Sequence, residues 1–177
     1  MAKVVFVVGL LALAKGAAAQ DGTAPRAIDP AWLSADTASR TATFELIAGL
    51  TGVNGALNFN GFRDGGLTLT VPVGWTVVMN FRNHDGMLPH SAEVIQDTHP
   101  LPTQPVTPAF PRAVTVRLGE GLPSEGRDDI RFIADKGGSY LIFCGVPGHG
   151  AAGMWIRLAV SESLRTPSLA ATPAGRP

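Results

Sequence analysis

Phe143-Cys144-Gly145-Val146-Pro147-Gly148-His149-Gly150-Ala151-Ala152-Gly153-Met154 sets a cysteine, a histidine and a methionine at the spacing Cys-x4-His-x4-Met. The stretch joins two apolar runs, residues 139–144 and 154–160, whose character is that of strands. One loop therefore delivers three side chains to a single point. Its glycines and Pro147 permit the tight turns this needs and let the backbone come close to whatever the side chains hold. Cys144 is the sole cysteine, so no internal disulfide is available to it. A buried small apolar residue, a metal ligand, a nucleophile and an intermolecular bridge are the readings open to such a thiol.

A thiolate, an imidazole and a thioether together are a soft donor set, suited to copper that must exist in two oxidation states. Two histidines and a cysteine in a trigonal plane, with a long axial methionine, form a blue-copper electron-transfer site. The loop supplies Cys144, His149 and Met154; one histidine is missing. Of the other three, His84 lies in a turn, His99 in a Pro-rich connection, and His90 at the start of a strand in Asn83-His84-Asp85-Gly86-Met87-Leu88-Pro89-His90-Ser91. His90 is the expected ligand, because a metal ligand is held best by a regular element. Met79 and Met87 are read as core or loop filling. Ser91 is either a brace for the cysteine and its loop or an ordinary surface serine.

Outward from this site the pattern is one of short alternating runs. Residues 41–49 alternate around Phe44 and Leu46; Leu67, Leu69 and Val71 form one apolar face, and Val77, Met79 and Phe81 another, with Pro72-Val73-Gly74 as the break. Residues 91–95, 113–118, 129–133, 139–144 and 154–160 bring the total to about eight strands, as in a β-sandwich or Greek-key barrel. No run sustains a 3.6-residue period, and no Gly-rich loop precedes a helix, which excludes an α/β nucleotide-binding fold. The segment from Gln96 to Arg112 carries Pro100, Pro102, Pro105, Pro108 and Pro111 and suits a stiff loop wrapped over a sheet.

With 45% hydrophobic and 16% charged residues, 21 Gly and 14 Pro in 177 residues, the composition fits one strand-and-turn domain. The chain opens with Lys3, an apolar run over residues 4–14 and the small residues Ala17, Ala18 and Ala19, the layout of a cleavable export signal over residues 1–19. The run is shorter than a membrane span, and Lys15 interrupts it. Cleavage removes two of the 14 basic residues and none of the 14 acidic ones. The near-neutral remainder has no Lys/Arg cluster for a nucleic acid. Residues 20–40 read as a loose lead-in, residues 41–160 as the domain, and residues 161–177, rich in Ala, Pro, Ser and Thr, as a disordered tail.

Phe81-Arg82-Asn83 with Pro89-His90-Ser91, then Tyr140-Leu141-Ile142-Phe143-Cys144 and the Cys-x4-His-x4-Met loop, resembles the cupredoxins. Leu57-Asn58-Phe59-Asn60-Gly61 and Val71-Pro72-Val73-Gly74-Trp75-Thr76-Val77 resemble the sulfocyanin branch, with rusticyanin a near relative. Asn60-Gly61 is also an ordinary turn signal. The likeness runs from about Thr41 to Val160. It implies an all-β, eight-stranded Greek-key sandwich holding one type 1 copper ion, and a one-electron carrier of an exported respiratory chain rather than an enzyme. Redox partners such as a cytochrome or a terminal oxidase are then expected at the small-residue surface around His149.

Three other readings compete. A copper enzyme such as a nitrite reductase or multicopper oxidase needs further histidines for a second centre, and only His84 and His99 are unassigned. A copper carrier or store uses exposed, exchangeable Met and His clusters. A cysteine nucleophile with a histidine base leaves His90 and Met154 without roles.

Overall fold

The computed structural model describes residues 27–172; the expected export signal, residues 1–19, lies outside them. The described chain forms nine strands: β1 (Leu33–Asp36), β2 (Thr41–Ala48), β3 (Leu67–Pro72), β4 (Trp75–Asn83), β5 (Glu93–Gln96), β6 (Arg127–Ala134), β7 (Gly138–Phe143), β8 (Trp155–Ser161) and β9 (Ser168–Ala171). One sheet has the order β1-β2-β4-β6 and the other β5-β7-β8-β3-β9. In each, one parallel pairing, β2 with β4 and β3 with β8, is set among antiparallel ones. The all-β two-sheet sandwich expected from the alternating runs is what forms.

Alternation explains why. In β4 every second side chain is buried, Trp75, Val77, Met79 and Phe81, and each faces the other sheet. The opposing face comes from Leu67, Leu69 and Val71 on β3, Tyr140 and Ile142 on β7, and Ile156, Leu158 and Val160 on β8. Cys144, one residue past β7, continues the inward face of that strand and is part of this core.

Around β5 and β7 the second sheet is buried on its other side as well. Ile95, Leu141, Phe143 and Trp155 form a separate apolar layer there, with Leu101 packed onto it. Leu101 belongs to the Pro-rich segment, which crosses this face as expected. Farther along, Phe110 enters the main core, stacked on Phe132 at 5.2 Å and tilted against Tyr140 at 4.7 Å. These anchors hold a segment that has no strand pairing of its own.

Three expectations change. Residues 113–118 are not a strand: Val94 and Thr115 N–H groups bond to Ala113 and Ala92 carbonyls, but then Val116 N–H turns to the Asp128 carboxylate and Arg117 takes a positive φ of 54°. The described part of the lead-in is not loose: the Asp29 side chain caps a 3-10 turn at Pro30–Trp32, and β1 pairs with β2. The expected tail, residues 161–177, is described as far as residue 172, and there it is not loose: β9 pairs antiparallel with β3 from Thr70↔Ser168 to Leu67↔Ala171. Backbone ladder bonds carry that pairing, and composition does not report them.

Candidate metal centre

Cys144 leaves β7 and is bonded back across the turn: its N–H donates to the Met154 carbonyl at 3.1 Å, and Met154 N–H donates to the His149 carbonyl at 3.1 Å. The loop is thus a closed hairpin whose three chemistry-bearing residues share backbone bonds. It is pressed against its surroundings so closely that positions within it admit no side chain. A Cβ on Gly150 would enter the Phe143 ring, and one on Gly145 would collide with Leu118.

His90 comes from the segment before β5 and exchanges backbone bonds with Leu122 at 3.1 and 2.7 Å. Its ring is fully buried. Nε2 is engaged by the Asp85 carboxylate at 2.9 Å, while Nδ1 is buried with no hydrogen-bond partner. The imidazole therefore donates from Nε2 to Asp85 and turns its lone pair, on Nδ1, toward the remaining donors. The His149 ring lies 5.3 Å from the His90 ring, centroid to centroid, and its Nδ1 lies 3.8 Å from Cys144 Sγ. One donor atom each from His90, Cys144 and His149 falls within 4.8 Å of the others.

Electrostatics favour a soft, neutral-imidazole site. Burial pushes the His90 pKa down, more than the Asp85 carboxylate raises it. Burial also lowers His149, assisted by repulsion from His90. Burial pushes the Cys144 thiol up, against hydrogen bonds from Ser91 and Val146 that lower it. A metal that binds must therefore displace the thiol proton, while the imidazoles are already in their ligand form. Burial raises Asp85, but hydrogen bonds from Met87, His90 and Leu88 outweigh it and keep the carboxylate ionised. An orphaned imidazole nitrogen facing a thiol and a second imidazole fits copper; nothing else in the described core satisfies His90 Nδ1.

Met154 is fully buried at the end of the same hairpin. His84 and His99 are elsewhere: the first is exposed and 3.6 Å from Glu125, the second exposed and 3.6 Å from Asp97. Ser91 is buried, not a surface residue. Its Oγ accepts the Gly145 N–H at 3.1 Å and lies 4.0 Å from Cys144 Sγ, so it braces the loop and touches the thiol.

Two supports escape a reading by motif. Asp85 orients His90 only because Asn83, itself buried, folds the turn: Asn83 Oδ1 accepts Asp85 N–H, and Nδ2 donates to the Leu88 and Leu122 carbonyls. Asn54 donates from Nδ2 to the Ala152 carbonyl at 2.9 Å, tying a distant turn to the loop. The Asn58-Phe59-Asn60-Gly61 motif is architectural. Asn60 accepts from Ile47 N–H and donates to the Glu45 carbonyl, continuing the hydrogen bonds of β2 where no strand is present.

Comparison with known proteins agrees with this geometry. The Sulfocyanin (SoxE) domain family matches residues 30–171. A sulfocyanin from Sulfolobus acidocaldarius is 29% identical over 121 residues, covering 62% of this chain and 58% of that protein, so the match spans less than two thirds of the relative. Among solved structures, reduced rusticyanin superposes with a TM-score of 0.55 at 23% identity, over 74% of this chain and 91% of that one. Rusticyanin from Thiobacillus ferrooxidans gives 0.50 at 21% identity, over 74% and 88%. At such identities these structures speak for the fold alone.

Proposed function

The chain belongs to the sulfocyanin family of blue copper proteins, and from that premise we propose that it is an extracytoplasmic one-electron carrier of a respiratory chain, with copper held by His90, Cys144, His149 and Met154. The observation that carries this reading is the enclosure of the donor set. His90, Cys144 and Met154 are fully buried, and His149 alone is partly open to solvent.

Bound copper would supply a couple that changes by one electron. The protein's part is to keep the donors where both oxidation states accept them. His90 is fixed by Asp85 and burial, Cys144 by the Met154 ladder, and the loop by Ser91 and Asn54. Met154 would add a soft thioether donor, which would favour the reduced ion and raise the potential. Four protein donors leave no position for a substrate, which supports a carrier over a catalyst. The partly exposed edge of His149, among exposed Pro147, Gly148, Ala151 and Ala152, is where the site opens to solvent and the surface for brief encounters with redox proteins.

Export rests on the sequence of residues 1–19; among the described residues no helix is long and apolar enough to cross a membrane. The mature N-terminus, read by mass spectrometry from an extracytoplasmic fraction, is expected just after Ala19. An intact Met1 in the cytoplasm would sink that part.

The central test is to add Cu(II) to purified protein. One ion per chain, intense visible absorption and repeated redox cycling without metal loss are expected. Release of copper on each cycle would make the protein a copper carrier or store instead. Cys144→Ser should bind without colour; a variant that stays blue removes Cys144 from the centre. Met154→Gln should lower the reduction potential, and an unchanged value would count against Met154 as a ligand.

A further inference from the structure

Glu93 stands in the wrong place for an ordinary carboxylate. It opens β5, directly across from Phe143 on β7, and so shares the outer apolar layer of Ile95, Leu141, Phe143 and Trp155 beneath the Pro-rich segment. It is fully buried, and neither carboxyl oxygen has a well-formed hydrogen bond. Its Oε1 lies against the backbone of Gly145, where a Cβ would come within 3.3 Å, with the Leu118 side chain beside it. Glu93 thus meets the loop one residue beyond Cys144, on the face of the sheet opposite the thiol.

The surrounding elements bring no compensating charge. The 97–112 segment carries Asp97, His99 and Arg112, of which Asp97 pairs with Arg157 and His99. The following turn carries Arg117 and Glu120, paired with each other at 3.4 Å. β7 offers Tyr140, which faces the other core, and the loop offers Cys144 and His149. Of all these, only Cys144 feels the Glu93 charge, which helps to push its thiol up. A carboxyl so placed stays protonated well above its usual range; burial pushes it up to about 7, opposed only by a weak approach of the Val106 backbone N–H.

Resting on the copper reading above, we propose that Glu93 is a redox-linked proton site, its carboxyl keeping a proton while the centre is reduced and releasing it to bulk water when the centre is oxidised. The balance is simple: oxidation sends one electron to an oxidising redox protein and one proton from the Glu93 Oε–H bond to water, and reduction reverses both. A thiolate with cuprous copper has no net charge, like the metal-free thiol, so the reduced centre leaves Glu93 near the value set by burial. The oxidised centre adds one positive charge across a medium of low dielectric constant, and this favours the carboxylate.

The sign follows. The potential is flat in acid, falls with rising pH just below and around 7 with a slope approaching one proton per electron, and flattens above. Potentiometric titration of the copper-loaded protein across this range, with Glu93→Gln alongside, is the test. The wild type is expected to show the slope and the glutamine variant to lose it. Infrared difference spectra between oxidised and reduced wild type should lose a protonated-carboxyl band on oxidation, which keeps the test decisive if the variant fails to fold. In the metal-free protein, carbon-13 resonances of the glutamate carboxyls should show one group titrating near 7. A blue protein with a pH-independent potential and no carboxyl band overturns this inference alone. A chain that takes up no copper overturns the copper reading with it.

Discussion

The two histidines of the centre are held in opposite ways. His90 is sealed inside the sandwich, its backbone bonded to Leu122 and its ring bonded to a carboxylate that an asparagine positions. His149 has no side-chain partner fixing its outer nitrogen in the described structure and depends on the hairpin around it. The difference separates two tasks: one ligand sets the geometry of the site, and the other opens it to the outside. Rigidity comes from the side where no exchange with solvent is needed.

Replacing each histidine by glycine should expose this division most sharply. His149→Gly is expected to lose its colour and regain it on addition of free imidazole, since the vacated position adjoins solvent. His90→Gly should stay colourless at any imidazole concentration, because its vacated position is walled in. Visible spectra of the two variants decide it, and rescue of both would break the comparison. Asp85→Asn should leave the fold intact and weaken copper about 10- to 100-fold, measured by competition with a chelator. An unchanged affinity would mean that burial alone orients His90.

On the hairpin side, Gly150→Ala forces a methyl into the Phe143 ring and should cost about 1–3 kcal/mol in urea unfolding. A smaller loss would show the loop free to shift, and His149 with it. His84→Ala is expected to change stability by no more than about 0.5 kcal/mol and copper binding not at all, since that ring is exposed. A colourless His84→Ala protein would reassign the second histidine.

Much of this was open to a reader of the sequence, and what was hidden had physical causes. Val77, Met79 and Phe81 announce a strand because one face is buried, and a loop with Cys, His and Met must bring them together. Val114, Thr115 and Val116 alternate just as well, yet a positive φ at Arg117 and the pull of Asp128 on Val116 N–H end the run after a single bridge. Around Ser168 and Ala170 the opposite holds: small residues that suggest disorder are ordered by ladder bonds to β3. The role of Asp85 depends on how Asn83 folds a turn, which no spacing encodes. Glu93 looks like the outward, solvated member of an alternating strand, and only the segment crossing that face makes it buried.

The same crossing segment has a consequence for how the molecule behaves in a crowd. β5 is the last strand of its sheet, and an uncovered edge beside the hairpin would invite a second copy to add itself there. Instead Ala109 and Thr115 N–H groups turn inward to Val94 and Ala92, and Val94 N–H is taken by Ala113. The remaining margins are blunted too: β1 and β9 have four residues each, and β6 bears Arg127, Asp128, Asp129 and Arg131. Such a particle can be packed densely and still collide end-on without sticking side by side.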